Sequence, residues 1–390
     1  MSNSKDKVLI ISPFFFPEPI STGKFNTHFV NALKRKVQSV TVLCSHPFYP
    51  EWKVTPSTDS LKEVTIIRGG KRIIYPKNTT LRRFILELWY AFFVFFKFLK
   101  LRNKVDVIVP IFPPSLAFYI LQPFLRKEQR SIAIIHDLQE VYASKKRGFL
   151  NKIISFFINK IEGSALRSCD KVIFLSTEMK NTAQEYYRLD TTKLAVHYPF
   201  VTLDLQGKTE DLNAIFSKDI QHIVYSGALG EKQNPEKLYA FFNYSSSKIE
   251  ATLFHIFSSG AVYESLKRKN KNKKIKFHNL VAERNIKELY QKSTVQIIPQ
   301  KEGTSKGSLP SKLPNILFAN RKVLVITDKN SELDIIFKKN NLNTVVTLWD
   351  NQVLCTALVN LLNNREPITN KKVVPTLFSI KSMIDLVLRK

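Results

Sequence analysis

Residues 8–36 read VLIISPFFFPEPISTGKFNTHFVNALKRK, and this stretch decides the fold class. Its beginning, Val8 to Ser12, is a short apolar run that ends in a proline-rich loop, as a buried parallel strand does. From Gly23 to Lys36, apolar residues then recur at helical spacing. A strand, a loop and a helix in this order form the repeating unit of proteins with a parallel sheet.

The same alternation continues along the whole chain. In the first half, further strands are predicted at residues 39–44, 65–68, 105–110, 131–135 and 171–175. The pattern then restarts, with strands predicted at 221–225, 251–257, 274–277, 295–298, 322–326 and 343–347. We therefore predict an α/β protein with two Rossmann-like, doubly wound domains facing across a cleft. The expected domains are 1–195 and 196–375, followed by a helical segment at 376–390.

The composition limits the classes of function. With 390 residues and a formal net charge of +28, the chain is long enough for two domains and calls for an anionic partner. Nucleic acid, an anionic membrane leaflet and phosphorylated substrates all qualify, and a general lysine bias of the genome is an alternative origin of the charge. The cysteines lack zinc or disulfide spacing, and the N-terminal residues do not read as a signal peptide. We therefore expect a cytoplasmic protein without bound metal.

Two loops in the first half follow predicted strands and suit binding. The first ends at Thr22, Gly23 and Lys24, where free amides and the dipole of a helix N-terminus favour anionic oxygens. Thr22 as a simple helix cap is the alternative. The second places His136 and Asp137 directly after a strand. A histidine there can hydrogen-bond a sugar hydroxyl and Asp137 can orient it, whereas a turn with an aspartate cap is the alternative.

A third loop opens the second half, at residues 226–233, SGALGEKQ. The small residues Gly227 and Gly230 allow a backbone to approach a diphosphate closely, and Lys232 supplies a positive charge for it. This pattern predicts a phosphate-binding turn between a strand and a helix.

The fourth loop, residues 308–315, reads SLPSKLPN and again joins a strand to a helix. Ser311, Lys312 and Asn315 lie within about one helical turn of each other, so a phosphate or a sugar hydroxyl can meet several of them. A serine that only caps the helix is the alternative.

A helical segment at residues 81–104, LRRFILELWYAFFVFFKFLKLRNK, combines cationic and aromatic residues. Its apolar run is too short to span a bilayer, which takes about 20 residues. The basic residues fall in one arc of the helix, a pattern typical of a helix lying in a membrane interface. They are Arg82, Arg83, Lys97, Lys100 and Lys104. A core helix with one solvated stripe is the alternative.

Longer segments resemble a known family. Residues 16–24 (FPEPISTGK) and 47–54 (PFYPEWKV) are similar to an N-terminal acceptor loop and a Pro-Tyr-Tyr-Pro-Glu-Trp signature of the family 4 glycosyltransferases of the GT-B fold. Residues 226–233 and 309–317 are similar to its donor-phosphate and donor-sugar loops. The resemblance is closest to bacterial polysaccharide enzymes of the colanic-acid fucosyltransferase type.

The resemblance implies a retaining hexosyl or deoxyhexosyl transferase that uses a UDP- or GDP-linked sugar and needs no cofactor or metal. Its acceptor would be a lipid-linked saccharide of capsule, O-antigen or exopolysaccharide synthesis, at the anionic inner face of the cell membrane. The C-terminal helix would cross back onto the first domain.

The same resemblance implies roles for individual residues. Catalytic residues would be Lys232 and Lys312, which neutralise the leaving diphosphate, and His136, which positions the donor sugar. Residues for donor binding would be Gly227, Gly230, Glu231, Gln233, His278, Leu280, Ser308, Leu309, Pro310, Ser311 and Asn315. Residues for acceptor binding would be Thr22, Gly23, Lys24, Tyr49, Glu51 and Asp137.

The sequence departs from the family in the fourth loop, where Gly307 and Asn315 stand in place of two glutamates. The Asn315 amide can still hydrogen-bond a ribose, since it offers both a donor and an acceptor. The departures keep open a non-catalytic partner subunit and a sugar-nucleotide epimerase of related architecture. A basic nucleic-acid-binding protein is disfavoured, because the charge is spread along the chain and no recognition motif occurs.

Overall fold

The computed structural model describes residues 4–18, 20–138, 149–203, 212–304, 309–342, 344–366 and 368–389. The chain forms two compact units. Unit 1 comprises Met1–Phe200 and Ser379–Lys390, and unit 2 comprises Val201–Phe378. The division thus falls a few residues beyond the boundary expected from the sequence.

Unit 1 is built on a seven-stranded parallel sheet with the order β3-β2-β1-β4-β5-β6-β7. Its strands are β1 (Lys7–Ile11), β2 (Ser39–Ser45), β3 (Thr65–Gly69), β4 (Val107–Phe112), β5 (Arg130–Ile135), β6 (Lys171–Phe174) and β7 (Leu194–Val196). Its helices are α1 (Ser21–Leu33), α2 (Thr79–Leu101), α3 (Leu116–Leu121), α4 (Phe149–Ser168), α5 (Thr177–Tyr187) and the C-terminal helix Ile380–Leu388.

Alternating residues of β1 divide the core of unit 1 between the two faces of its sheet. Leu9 and Ile11 point into a cluster filled from α2 to α5. Val8 and Ile10 point into the opposite cluster, which α1 and the C-terminal helix cover. A strand that is apolar on both faces is what a sheet buried between two helical layers requires.

Unit 2 repeats this plan with a six-stranded parallel sheet in the order β10-β9-β8-β11-β12-β13. Its strands are β8 (Gln221–Ser226), β9 (Thr252–Phe257), β10 (Ile275–His278), β11 (Val295–Pro299), β12 (Lys322–Ile326) and β13 (Thr344–Val346). Its helices are α6 (Pro235–Ser246), α7 (Ala261–Lys269), α8 (Ile286–Lys292), α9 (Leu313–Phe318), α10 (Glu332–Lys339), α11 (Asn351–Asn363) and α12 (Val374–Leu377).

The strand order places a switch point in each sheet. The direction of winding reverses between β1 and β4 in unit 1, and between β8 and β11 in unit 2. In such sheets, ligands bind beyond the carboxyl ends of the strands at this reversal. The predicted α/β class with two parallel sheets is confirmed.

Two details differ from the expectation. Helix α1 begins at Ser21 rather than Gly23, and Ile20 is its N-cap, so Thr22 does not cap it. Strand β7 adds a seventh strand after the last one predicted for this half. It has only three residues, which is too short an apolar run to identify a strand from sequence.

Candidate functional site

The turn that follows β8 holds a lysine from a distant part of the chain. The Lys312 Nζ donates a hydrogen bond to the Ser226 carbonyl oxygen at 2.9 Å. The same ammonium lies 4.1 Å from the centre of the Tyr225 ring. Gly227 has a φ of 127°, which favours glycine, and a Cβ built there would lie 4.0 Å from Lys312 Nζ. A lysine therefore stands at the switch point of the second sheet.

The charge of Lys312 is poorly compensated. Burial lowers its pKa to about 7 from an ordinary value of 10.5. In the described part of the chain, no carboxylate forms an ion pair with it, and its contacts are the Ser226 carbonyl and the Tyr225 ring. Desolvating an ammonium is costly unless it is paired with an anion. The arrangement therefore favours an anionic ligand at this turn.

The rest of the loop after β8 is held by its own polar groups. The Gly230 amide donates to Gln233 Oε1 at 3.0 Å, and Glu231 forms a 2.7 Å ion pair with Lys301. The Lys301 amide in turn donates to the Lys232 carbonyl at 2.8 Å. These bonds join the loops that follow β8 and β11, on the two sides of the switch point. Glu231 and Gln233 thus shape the loop, and the Lys232 side chain is exposed.

The fourth predicted loop supplies Lys312 but uses Asn315 differently from the expectation. The Asn315 Oδ1 accepts hydrogen bonds from the Thr202 and Leu203 amides at 2.8 and 3.1 Å, and its Nδ2 donates to Thr202 Oγ1 at 3.1 Å. The expected offer of both a donor and an acceptor to a ribose is thus reduced, because the acceptor oxygen already has two partners.

The neighbours of Lys312 in this loop vary in exposure. Leu309 is buried, Pro310 is half-buried and Ser311 is exposed. Lys312 is the N-cap residue of helix α9 and no side chain forms a cap hydrogen bond there, so Ser311 does not cap the helix. Ser308 lies outside the described residues.

Two of the residues predicted to bind the donor, His278 and Leu280, lie at the end of strand β10. His278 is the last residue of β10 and its ring stacks on Phe257, with 4.4 Å between ring centres. Leu280 follows it and is exposed. Sequence reasoning missed His255, which is the hydrogen-bond partner of His278, and His222, which contacts His255 in turn. It also missed the Tyr225 ring beneath Lys312.

In unit 1, a buried carboxylate organises the loops that follow β1 and β2. Glu18 accepts hydrogen bonds from the amides of Phe48 and Tyr49 at 3.0 and 2.7 Å. Burial is the largest influence on the Glu18 carboxyl and raises its pKa. The sequence placed Glu18 in a family motif without assigning it a role, and in the structure it fixes the backbone beside the predicted acceptor residue Tyr49.

Gly23 closes this arrangement because a side chain would not fit there. A Cβ at Gly23 would lie 2.9 Å from the Glu18 carbonyl oxygen. Its neighbours Thr22 and Lys24 are half-buried in the first turn of α1, and Glu51 is exposed. The loops after β1 and β2 therefore bring together most of the residues predicted to bind the acceptor.

His136 follows β5, and its imidazole ring is neutral. Burial lowers its pKa to about 3. Phe25 meets its ring edge-on at 4.6 Å. Among the described residues, its buried Nε2 has no hydrogen-bond partner. The Oδ1 of its neighbour Asp137 accepts a hydrogen bond from the Leu138 amide.

Residues 23–205 match the model of Glycosyltransferase Family 4. WcaI of Escherichia coli (strain K12), described as a colanic acid biosynthesis glycosyl transferase, is 24% identical over 351 residues, which are 84% of each chain. The chain is a glycosyltransferase that resembles family 4.

Solved structures share the fold of this glycosyltransferase along nearly all of its length. WaaG, a glycosyltransferase involved in lipopolysaccharide biosynthesis, gives a TM-score of 0.68 at 12% identity, over 98% of this chain and 100% of WaaG. A structure described as trehalose-6-phosphate from E. coli bound with UDP-2-fluoro glucose gives a TM-score of 0.68 at 10% identity, over 98% and 99% of the two chains. These likenesses show the GT-B fold.

Helix α2 of the glycosyltransferase buries one face and exposes an apolar stripe on another. Leu86, Tyr90, Val94 and Phe98 pack into the core. Exposed apolar residues recur every three or four positions, at Leu81, Phe84, Leu88, Phe92, Phe96 and Leu99. The helix thus packs one face into the core and exposes apolar residues on another, and its position in a membrane interface stays a prediction.

None of the described helices combines the length and hydrophobicity that crossing a bilayer requires. Within the same residues, no group of three or more histidine, cysteine or acidic side chains is arranged to hold a metal ion.

Proposed function

We propose that this glycosyltransferase moves a hexose or deoxyhexose, with retention, from a UDP- or GDP-linked donor to a lipid-linked saccharide. The observation that carries the proposal is the Lys312 ammonium at the turn after β8, which has no carboxylate partner among the described residues. A pyrophosphate bound there would supply the missing negative charge. Its own charge grows as the sugar departs, so the same contact strengthens in the transition state.

The remaining roles follow from position. Lys232 assists Lys312 at the diphosphate, and the absence of side chains at Gly227 and Gly230 lets the diphosphate approach the backbone, so that no metal or cofactor is required. Glu231 and Gln233 hold the shape of that loop. His136 keeps the role of positioning the donor sugar, with a ring held neutral because burial lowers its pKa to about 3.

The remaining residues keep, as part of this proposal, the donor and acceptor roles expected from the sequence. Those of the donor side are His278, Leu280, Ser308, Leu309, Pro310, Ser311 and Asn315. Those of the acceptor side are Thr22, Gly23, Lys24, Tyr49, Glu51 and Asp137.

Helix α2 supports a location at the inner, cytoplasmic face of the cell membrane. Beside the exposed apolar stripe, the helix carries the exposed basic residues Arg83 and Lys100, and the exposed Lys104 follows just after it. Apolar side chains enter the acyl boundary of a leaflet while basic ones meet anionic headgroups. Such a contact would bring the enzyme to a lipid-linked acceptor. The names of WcaI and WaaG support a product among the surface polysaccharides, whether capsule, O-antigen or exopolysaccharide.

The test is a thermal-shift screen with UDP-, GDP-, dTDP- and ADP-sugars, followed by transfer of labelled sugar to a membrane lipid extract. A ligand that binds only the folded protein raises the unfolding midpoint. We expect a UDP- or GDP-sugar to raise it and to label lipid. Binding without transfer supports the partner subunit, donor conversion without lipid extract supports the epimerase, and no binding contradicts the proposal.

A further inference from the structure

Three histidines of unit 2 form a hydrogen-bonded row across β8, β9 and β10. The His222 Nδ1 lies 2.9 Å from His255 Nε2, and His255 Nδ1 lies 3.0 Å from His278 Nε2. At the inner end of the row, His222 Nε2 lies 2.9 Å from the Ser217 carbonyl oxygen. His222 and His255 are buried, and His278 is half-buried at the end of its strand.

The Ser217 carbonyl determines the direction of every bond in this row. A carbonyl oxygen only accepts, so a neutral His222 must carry its proton on Nε2 and present a bare Nδ1. His255 must then donate from Nε2 to that Nδ1 and present its own bare Nδ1. His278 must in turn donate from Nε2, which leaves its Nδ1 as an acceptor. One carbonyl thus selects the tautomer of three neutral rings.

The surroundings disfavour a positive charge on the row. In the described part of the chain, no carboxylate pairs with any of the three, so a charge on the row would be uncompensated. Burial lowers the pKa of His255 to about 3. Burial, with Lys276 and Lys267 nearby, lowers that of His278 to about 4. The outer atom of the row, His278 Nδ1, has no hydrogen-bond partner among the described residues.

That acceptor lies at the edge of the sheet where Lys312 stands. In the strand register, His278 is opposite Phe257, and Phe257 is opposite Ser226, whose carbonyl holds Lys312. Two strand spacings separate His278 from Ser226, which is roughly 10 Å. A nucleotide whose diphosphate meets Lys312 can therefore extend along this edge to place its base beside His278.

We propose that Ser217, His222 and His255 fix His278 as a hydrogen-bond acceptor for a ring N–H of the donor's nucleobase, the imide of a uracil or the lactam of a guanine. His278 contacts the base, whereas His222 and His255 are positioning residues that act through its tautomer. This inference rests on the proposed function, because it takes the ligand to be a nucleotide.

The first test needs no ligand. Nitrogen-15 NMR of the wild-type histidines distinguishes a protonated from a bare ring nitrogen, and we expect His278 to carry its proton on Nε2 alone. His222→Gln keeps the polarity of the row, since its amide donates to Ser217 and accepts from His255. His222→Phe removes both functions and should give a mixture of tautomers at His278. A proton on His278 Nδ1 in the wild type, or His222→Phe spectra that match those of His222→Gln, would overturn the inference.

The second test uses UDP and GDP with their ring-N-methylated analogues, N3-methyluridine and N1-methylguanosine diphosphate. We expect methylation to weaken binding of the preferred nucleotide about tenfold or more, the effect of losing one hydrogen bond and blocking its acceptor. His278→Ala should bind the methylated and plain nucleotides nearly equally. If neither UDP nor GDP binds the wild type, the proposed function fails. If one binds and methylation changes nothing, only the histidine inference fails.

Discussion

The switch-point loops of the two sheets are alike in topology and opposite in electrostatics. In unit 1, the loop after β1 turns its carboxylate inward, where Glu18 is satisfied by the Phe48 and Tyr49 amides. In unit 2, the turn after β8 receives a lysine that lacks a carboxylate partner among the described residues. In the first loop the charged group fixes the backbone, whereas in the second it remains available to bind an anion. Such a division suits a neutral saccharide on one side and a diphosphate on the other.

The largest effect on nucleotide-sugar binding should come from removing the charge of Lys312. We expect Lys312→Met to weaken nucleotide-sugar binding at least about a hundredfold, because a charge-assisted contact to the diphosphate is lost. Isothermal titration calorimetry measures this. The control is Lys322→Met, whose lysine also donates to carbonyls, those of Leu362 and Asn364, but at the start of β12. Equal loss in both variants would contradict a special role for Lys312.

The same variant should be more stable than the wild type. The pKa of Lys312 is about 7 in the folded protein and near 10.5 when unfolded, so the unfolded state binds more protons between these values. The penalty is complete below pH 7 and is relieved as pH rises toward 10.5. Lys312→Met removes it and should raise the free energy of unfolding at pH 7 by roughly 1–3 kcal/mol. A destabilised variant in chemical denaturation would argue against a desolvated charge.

The next effect is the pH dependence of donor affinity. Below pH 7 the ammonium is charged before the donor arrives, and affinity should be level. Above pH 7 binding must first protonate the amine, so affinity should fall by roughly tenfold per pH unit until the pKa of the complex is reached. A nucleotide sugar isolates this effect because its phosphates do not titrate in this range. Affinity that is level from pH 7 to 9 would contradict the assignment.

A smaller effect concerns membrane binding, which we expect from helix α2 of unit 1 and not from the surface of unit 2. Phe92 and Phe96 on α2 are 57% and 61% exposed. Changing both to serine should weaken binding to anionic vesicles about tenfold, since two apolar anchors are lost. Ile335→Ser, an exposed apolar residue of unit 2, is the matched control and should have little effect in the same sedimentation assay. Unchanged binding of the double variant would exclude this face of α2.

The smallest effect concerns the loop after β1, which contains Glu18. Glu18→Gln leaves one oxygen for two amides, so one amide loses its partner at a cost of about 1–2 kcal/mol in unfolding free energy. We expect a several-fold rise in KM for the acceptor and no change in donor affinity. Glu128→Gln, at an exposed glutamate of unit 1, should change neither. A loss of donor affinity in Glu18→Gln would contradict the proposal that unit 1 binds the acceptor and unit 2 binds the donor.

The sequence predicts the strands well because parallel strands buried on both faces are nearly continuous apolar runs. The strand at 322–326 is predicted to the residue, and the short, half-buried β7 is not. The loops that hold Lys312 and Gly227 are also recognisable, since each follows such a run. Their side-chain partners are not, because they depend on register. His222, His255 and His278 are far apart in sequence and meet only through strand pairing. The hydrogen bonds between Asn315 and Thr202 likewise cannot be predicted from the local sequence.

Proton uptake on donor binding tests the central claim most directly. Calorimetry at pH 8 in buffers of different ionisation enthalpy counts the protons taken up with the UDP- or GDP-sugar that binds. A lysine with a pKa of about 7 is mostly neutral at that pH, so the wild type should take up nearly one proton. Lys312→Arg, charged at every relevant pH, should bind and take up none. No uptake by the wild type, or equal uptake by the arginine variant, would show that Lys312 does not meet the diphosphate.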